Sequence, residues 1–148
     1  MLEEGKVRDI NTHTVSSLIK RQGCLVRFAG IARDTVDDIT SRLSALRECD
    51  AILLSGGSSK GQSDFMTAAV EGLGGHVLFH GLNIRPGKPT IFASLWDKAV
   101  FGLPGHPVSC AMVVMRFVQP LLARMKGERR PGLPCTMWGT LTTNIPSA

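Results

Sequence analysis

The stretch "AILLSGGSSKG", residues 51–61, decides the fold and raises the question of function. Four apolar residues in a row are typical of a parallel strand that helices cover on both faces. The paired glycines that follow permit unusual backbone angles and leave N–H groups open to close approach. Because the chain then enters a helix near Asp64, this loop is suited to bind a phosphate or another oxyanion. The alternative interpretation is a tight strand-to-helix turn without a ligand.

The segments around this strand alternate between helix and strand patterns, which predicts an α/β domain with a mostly parallel sheet. The run at 51–54 is then a central strand. Residues 24–31 and 76–82 are predicted as further strands, and 88–103 as a hairpin that turns at "LWDKA". Helices are predicted over 11–23, 34–49, 64–75 and 107–125, the last one bent or broken near Pro120.

Composition narrows the class of protein. With 148 residues, 43% hydrophobic and 20% charged, the chain has room for one globular domain and part of a second. No uninterrupted apolar stretch approaches the length of a membrane span, and no segment resembles a signal peptide, so we expect a cytoplasmic protein without a membrane partner. The four cysteines form no CxxC pair, which argues against a zinc site and favours free thiols.

The net charge of +5 favours an anionic partner. Aromatic residues make up only 5% of the chain, tyrosine is absent and the basic residues are scattered, so neither a stacking platform nor a basic stripe for nucleic acid is evident. A small anionic substrate fits the charge equally well, and charge alone does not decide between them.

A second candidate loop is "NIRPGKPT", residues 83–90. Its two prolines stiffen the segment, so Arg85 and Lys88 are held close together on a short turn. Two fixed cations repel each other unless an anion joins them, which suits a phosphate or a tetrahedral oxyanion. The alternative is a solvated basic turn.

A third candidate loop is "GLPGHPVSC", residues 102–110. Pro107 suits the first position of a helix, where its missing N–H does no harm. Ser109 then lies in the first turn, either near a ligand or as a helix cap. His106 is either a ligand contact or a plain surface residue.

Four polar residues have two interpretations each. Asp34 and Asp64 stand where helices begin and are either N-caps or ligands of Mg²⁺. Carboxylate oxygens suit this ion, which usually binds oxygens of substrate phosphates as well. Asp9 and Asn11, in "RDINTH", are either caps or substrate contacts.

Taken together, "SGGSSKGQSDF", "IRPGKPT" and "GLPGHPVSCA", in this order and with "KVRDINTHTV" and "ARDT" before them, resemble the third domain of the molybdopterin molybdenumtransferases of the MoeA/gephyrin type. The resemblance covers about residues 5–125 and implies a MoaB/Mog-like three-layer α/β/α fold. It divides the chain into a molybdopterin-binding domain at 1–125 and, at 126–148, a linker with the first strand of a C-terminal β domain.

The resemblance also implies a function: insertion of molybdate into adenylylated molybdopterin, with release of AMP in a Mg²⁺-dependent reaction. It places the glycine loop near the pterin phosphate, two cations at an oxyanion site for molybdate, and acidic residues, one of them a metal ligand, in catalysis. The residues that match are Gly56, Gly57 and Ser58 of the glycine loop, Arg85 and Lys88, Pro104, Pro107 and Ser109 of the proline loop, and the catalytic candidates Asp34 and Asp64, with Asp64 as the metal ligand.

Three positions depart from the family pattern. Gln62 stands where a carboxylate is usual, Arg85 where lysine is usual and His106 where asparagine is usual, and an arginine keeps the charge of a lysine with a different geometry. The family's N-terminal domains, which complete the active site across a homodimer, are not recognisable here, so we expect a fragment that binds without turning over. The alternatives are a stand-alone binding or adenylylating domain of the Mog or competence-damage type, and a non-catalytic binding module.

Overall fold

Five helices and four strands make up the part of the chain that the computed structural model describes, residues 8–56, 62–129, 138–140 and 142–143. The helices are α1 (Asn11–Lys20), α2 (Val36–Ala45), α3 (Gln62–Gly72), α4 (Pro107–Val113) and α5 (Gln119–Met125). The strands are β1 (Ala51–Ser55), β2 (His76–His80), β3 (Ile91–Leu95) and β4 (Lys98–Leu103).

The four strands form one mixed sheet in the order β1-β4-β3-β2. Only β1 and β4 pair in parallel, while β4 with β3 and β3 with β2 are antiparallel. The prediction of a mostly parallel sheet is therefore wrong. The prediction that β1 is central is also wrong, because it lies at one end of the sheet that the described residues form.

The reason for the antiparallel pairing is the hairpin predicted at 88–103, which is confirmed. Trp96 and Asp97 connect β3 to β4 with φ of 54° and 59°. Positive φ at both central residues is the geometry of the two-residue turns that join adjacent antiparallel strands. The guanidinium carbon of Arg47 lies 5.2 Å from the centre of the Trp96 ring, so a cation–π contact supports the turn.

Side chains alternate between the two faces of the sheet, and helices cover both faces. On β3, Ile91, Ala93 and Leu95 point to one side, where Ile39 and Leu43 of α2 and Met66 and Val70 of α3 cover them. On the other side, Phe101 and Leu103 of β4 meet Ile19 of α1, Val113 of α4 and Val118. The predicted three-layer α/β/α arrangement is confirmed.

The predicted strand at 24–31 is not formed, since residues 24–33 contain neither helix nor strand. Three of its apolar side chains face solvent: Leu25 is 101%, Phe28 61% and Ile31 72% exposed. The backbone is held by α2 instead of by a sheet, because the carbonyl of Ala29 accepts a hydrogen bond from the Arg42 guanidinium. Within the described residues no strand pairs with this segment, so its local strand preference is not realised.

The long apolar helix is continuous over Pro107–Met125, but its regular α geometry is interrupted close to Pro120, where the sequence predicts a bend or break. Between α4 and α5, residues Val114–Val118 form a π-helical turn, and Pro120 lies directly after it as the second residue of α5. Proline has no N–H for the preceding turn and its ring crowds the carbonyl four residues earlier, so a widened turn relieves both conflicts.

By length and composition the run Pro107–Met125 qualifies as a candidate membrane span, with 19 residues and a mean hydropathy of 1.3, although no uninterrupted apolar stretch is that long. Val113, Val114 and Val118 from this run are fully buried against α1 and the sheet. Since 33% of an 18-residue window of this run is buried, packing in the core accounts for part of its apolar character.

Side-chain caps fix the beginnings of α1 and α2. Asp9 accepts a hydrogen bond from the backbone N–H of Thr12 at 3.0 Å, and also binds the Thr12 hydroxyl. Thr35, rather than Asp34, is the N-cap of α2, since its hydroxyl accepts from Asp38 N at 3.4 Å. The caps satisfy N–H groups that have no partner within the helix.

Of the region predicted as linker and β strand, most lies outside the described residues. Residues 138–140 and 142–143 carry neither helix nor strand, and Trp138 is fully exposed. The division at residue 125 stays a prediction, although α5 does end at Met125.

We predict that Gly75→Ala lowers the free energy of unfolding by about 1–3 kcal/mol, because an added side chain overpacks a closed site. A Cβ at this position would lie 2.6 Å from the Ser94 carbonyl oxygen and 2.8 Å from Val70 Cγ1. Gly72→Ala is the matched control, since nothing lies within 4 Å of its Cβ and alanine suits the end of α3. Urea unfolding followed by circular dichroism gives both values, and equal stability of the two variants would contradict the prediction.

We also predict that acid destabilises the protein partly through Asp38. Its carboxylate accepts from the Arg33 backbone N–H at 2.6 Å and from Arg42 Nε at 3.0 Å, and these interactions, the first being the larger, lower the pKa of Asp38. A lowered folded-state pKa gives stability that is present above the unfolded pKa, about 3.9, and is lost as pH falls through the folded value.

The measurement is the free energy of unfolding between neutral pH and about pH 3, across the unfolded pKa of aspartate. Asp38→Asn is expected to flatten the loss of stability in acid. Asp37→Asn removes one carboxylate from the same helical turn and corrects for the change in net charge. An acid slope as steep in Asp38→Asn as in Asp37→Asn would show that Asp38 has no such role.

Candidate functional site

The ends of β1 and β4 bring the glycine loop and the proline loop together. Because these strands are parallel and Ser55 pairs with Leu103, both loops leave the sheet at the same edge. Gly56 N donates a hydrogen bond to Leu103 O at 3.2 Å. A Cβ on Gly105 would lie 3.6 Å from Gly56 Cα, so the two loops are in van der Waals contact at their origins.

Asn11 joins these two loops to the start of α1. Its Nδ2 donates to Ser55 Oγ at 2.7 Å and to the Gly105 carbonyl at 2.8 Å. The residue is only 8% exposed, and its buried Oδ1 has no hydrogen-bond partner among the residues that the structure describes. Since Asp9 caps α1, the amide of Asn11 is available for these long-range bonds. Sequence reasoning left Asn11 as a cap or a contact and did not find this role, because its partners lie 44 and 94 residues away.

Ser55 was not a predicted site residue, yet it lies at the centre of this contact. Its side chain is exposed, and its Oγ is 3.9 Å from the Sγ of Cys110 on α4. Cys110 is 1% exposed, and burial raises the pKa of its thiol, which keeps it neutral and weakly hydrogen bonding. The only sequence signal for Ser55 is its place at the end of the apolar run.

The loop that carries Arg85 and Lys88 packs against α4. A Cβ at Gly87, which has φ of 121°, would lie 2.9 Å from Val113 Cγ2 and 2.8 Å from Ile84 Cδ1, so only glycine fits there. The buried hydroxyl of Thr90 donates to Gly87 O at 2.7 Å, and Leu82 N donates to Lys88 O at 2.8 Å. These contacts fix the loop, while both cationic side chains are exposed.

The proline loop enters α4 as the sequence predicts. Pro104 is buried, His106 occupies the N-cap position without a side-chain cap hydrogen bond, and Pro107 is the first helical residue. Ser109 follows in the first turn and is half-buried. The loop therefore presents Ser109 on the same helix that the Arg85–Lys88 loop packs against.

The carboxylates predicted as catalytic stand at two different helices. Asp64 is exposed in the first turn of α3, and Asp34 is exposed just before the cap of α2. Within residues 8–56 and 62–129 no cluster of three or more acidic, histidine or cysteine side chains is present that suits a metal ion. One carboxylate is nevertheless enough for Mg²⁺, which usually takes one or two from the protein and completes its shell with phosphate oxygens and water.

The structure thus brings together Gly56, the proline loop, Ser55 and Asn11, and places the Arg85–Lys88 loop against α4. Gly57 and Ser58, predicted in the glycine loop, lie outside the described residues, as does the side chain of Gln62. The site assignments made from the sequence stay predictions.

Comparison with known proteins gives a consistent result. Residues 1–124 match the family described as "Probable molybdopterin binding domain". Over 148 residues the chain is 33% identical to the molybdopterin molybdenumtransferase of Haemophilus influenzae, covering 99% of this chain and 36% of that protein. It is 35% identical over 130 residues to the molybdenum cofactor synthesis protein cinnamon of Drosophila melanogaster, covering 87% of this chain and 22% of that protein.

A solved structure, that of the molybdopterin biosynthesis MoeA protein from Pyrococcus horikosii, has a TM-score of 0.77 at 35% identity and covers 88% of this chain and 32% of that one. The chain therefore spans about a third or less of the length of these relatives. Since the family match extends over 124 of the 148 residues, and the fold agrees with it, the chain belongs to the molybdopterin-binding domain family.

Proposed function

We propose that this chain is the substrate-binding domain of a molybdopterin molybdenumtransferase, which inserts molybdate into adenylylated molybdopterin and releases AMP. The observation that carries the proposal is the contact between the glycine loop and the proline loop at one edge of the sheet, joined by Asn11. Relatives named for molybdenum transfer and molybdenum cofactor synthesis support the reaction class.

The pterin phosphate is proposed to bind at the glycine loop, with Gly56, Gly57 and Ser58. Backbone N–H groups next to small residues suit an oxyanion because no side chain blocks the approach. The proline loop, with Pro104, Pro107 and Ser109, borders the same place. This placement of the proline loop is supported by the distance of 3.6 Å between a Cβ built on Gly105 and the Cα of Gly56.

Arg85 and Lys88 are proposed to bind the molybdate oxyanion. Both side chains are exposed on a loop whose backbone is tied by hydrogen bonds and packed on α4, so the backbone positions from which the two cations extend are fixed. Fixed cations bind an anion with less loss of conformational entropy than mobile ones. The net charge of +5 adds a long-range attraction for anionic substrates.

Asp64 is proposed to hold Mg²⁺, with Asp34 as a second acidic residue of the reaction. The ion would neutralise charge on the phosphate oxygens, which is its usual contribution to phosphate chemistry. A cytoplasmic location, an active site completed across a homodimer, and the absence of nucleic acid and membrane partners belong to the same proposal.

We predict that Lys88→Ala weakens the binding of molybdate in the presence of molybdopterin by roughly tenfold, the effect of losing one charge-assisted hydrogen bond. Isothermal titration calorimetry on the 148-residue chain measures it. Lys20→Ala is the matched control, because it removes the same charge at a distance from the loops. Lys20 is the last residue of α1, whereas Asn11, which contacts the loops, is the first.

Equal affinities for the wild type, Lys88→Ala and Lys20→Ala would remove the assignment of the oxyanion site. Lack of molybdopterin binding by the wild-type chain would contradict the proposed function itself.

A further inference from the structure

The Ser55 hydroxyl has an orientation that the structure defines. Its Oγ lies 2.7 Å from Asn11 Nδ2, which is a donor only. Ser55 Oγ must therefore accept in this bond, and its own hydrogen points elsewhere. Within residues 8–56 and 62–129 the remaining polar neighbour of Ser55 Oγ is Cys110 Sγ at 3.9 Å, and the Ser55 side chain is exposed, so a ligand at the edge of the sheet could accept this hydrogen.

The amide of Asn11 has only one orientation that fits its surroundings. The Gly105 carbonyl, 2.8 Å away, accepts hydrogen bonds and cannot donate. Exchanging the amide oxygen and nitrogen would place two acceptor oxygens against each other there. Asn11 therefore donates to Ser55 and to the Gly105 carbonyl, even though its buried Oδ1 then finds no partner within the described part of the chain.

Among the residues that the structure describes, Cys110 is the other polar neighbour of the Ser55 hydroxyl. The Sγ to Oγ distance is 3.9 Å, and a buried neutral thiol is both a weak donor and a weak acceptor. An anionic oxygen in front of Ser55 is a far stronger acceptor than this sulfur. The thiol therefore does not compete for the hydroxyl hydrogen once an anion is bound.

We propose that Ser55 donates its hydroxyl hydrogen to a tetrahedral oxyanion bound between the origins of the glycine and proline loops, and that Asn11 is the residue that positions it. The proposal rests on the proposed function and adds to it a binding residue and a positioning residue. The shared chemistry is that of a phosphate or molybdate oxygen, either of which accepts from a hydroxyl.

The experiment titrates the 148-residue chain with molybdate and, separately, with inorganic phosphate by calorimetry. Ser55→Ala is expected to weaken binding of the recognised oxyanion by roughly tenfold, and Ser55→Thr to restore most of it, because threonine keeps the hydroxyl. Ser41→Ala, which removes an exposed hydroxyl from α2 on the opposite face of the sheet, is expected to bind as the wild type does. If Ser55→Ala binds one of the two anions more weakly than the wild type does, that anion is the one that Ser55 contacts.

The role of Asn11 is tested in a double-mutant cycle. Asn11→Ala is expected to weaken binding as much as Ser55→Ala does, and the double variant no more than either, because the two residues act through one hydroxyl. Additive losses would overturn the positioning role. Thermal unfolding by circular dichroism detects a variant that fails to fold. In that case Ser55→Ala and Ser55→Thr, which change an exposed side chain, still decide the proposal.

The two proposals fail in different ways. If the wild-type chain binds an oxyanion and Ser55→Ala binds it equally well, the role of Ser55 is wrong while the proposed function stands. If the wild-type chain binds neither anion and no molybdopterin, both are wrong.

Discussion

The parallel pairing of β1 with β4 is the constraint on which the site depends. Parallel neighbours end at the same edge of a sheet, and here they are two strands that lie far apart in the sequence, with Ser55 opposite Leu103. The glycine loop and the proline loop follow these residues and so begin side by side. Asn11 then ties both to α1 through two hydrogen bonds from one amide nitrogen. Without this single register, the two loops would not begin next to each other.

Much of the architecture was predictable because its causes are local. The 3.6-residue spacing of apolar side chains predicts α1 and α2, a short apolar run predicts β1, and Pro120 predicts the irregular turn in the last helix. The hairpin of β3 and β4 also follows from a compact turn between two apolar runs. In each case the deciding contacts lie within a few residues of one another.

The predictions that are wrong concern features that depend on residues far apart in the sequence. Residues 24–31 have the composition of a strand, but a strand needs a partner, and the described chain offers this segment a hydrogen bond from Arg42 instead. The antiparallel pairing of β3 with β4 follows from the local hairpin, but the places of β1 beside β4 and of β2 beside β3 depend on residues far apart in the sequence. The contacts of Asn11 and Ser55 with each other and with the proline loop are not predicted from the sequence for the same reason. A buried asparagine in the first turn of a helix reads as an ordinary polar residue until its partners in β1 and the proline loop are known.

The exposed apolar side chains of Leu25, Phe28 and Ile31 have a practical consequence for anyone who handles the protein. Fluorescent dyes that report unfolding do so by adsorbing to hydrophobic surface, and folded proteins usually offer them little of it. This chain offers such a surface while its two cores are intact. A dye signal at low temperature is then a property of the native fold, and intrinsic spectroscopic probes are the better guide to whether a sample has lost its structure.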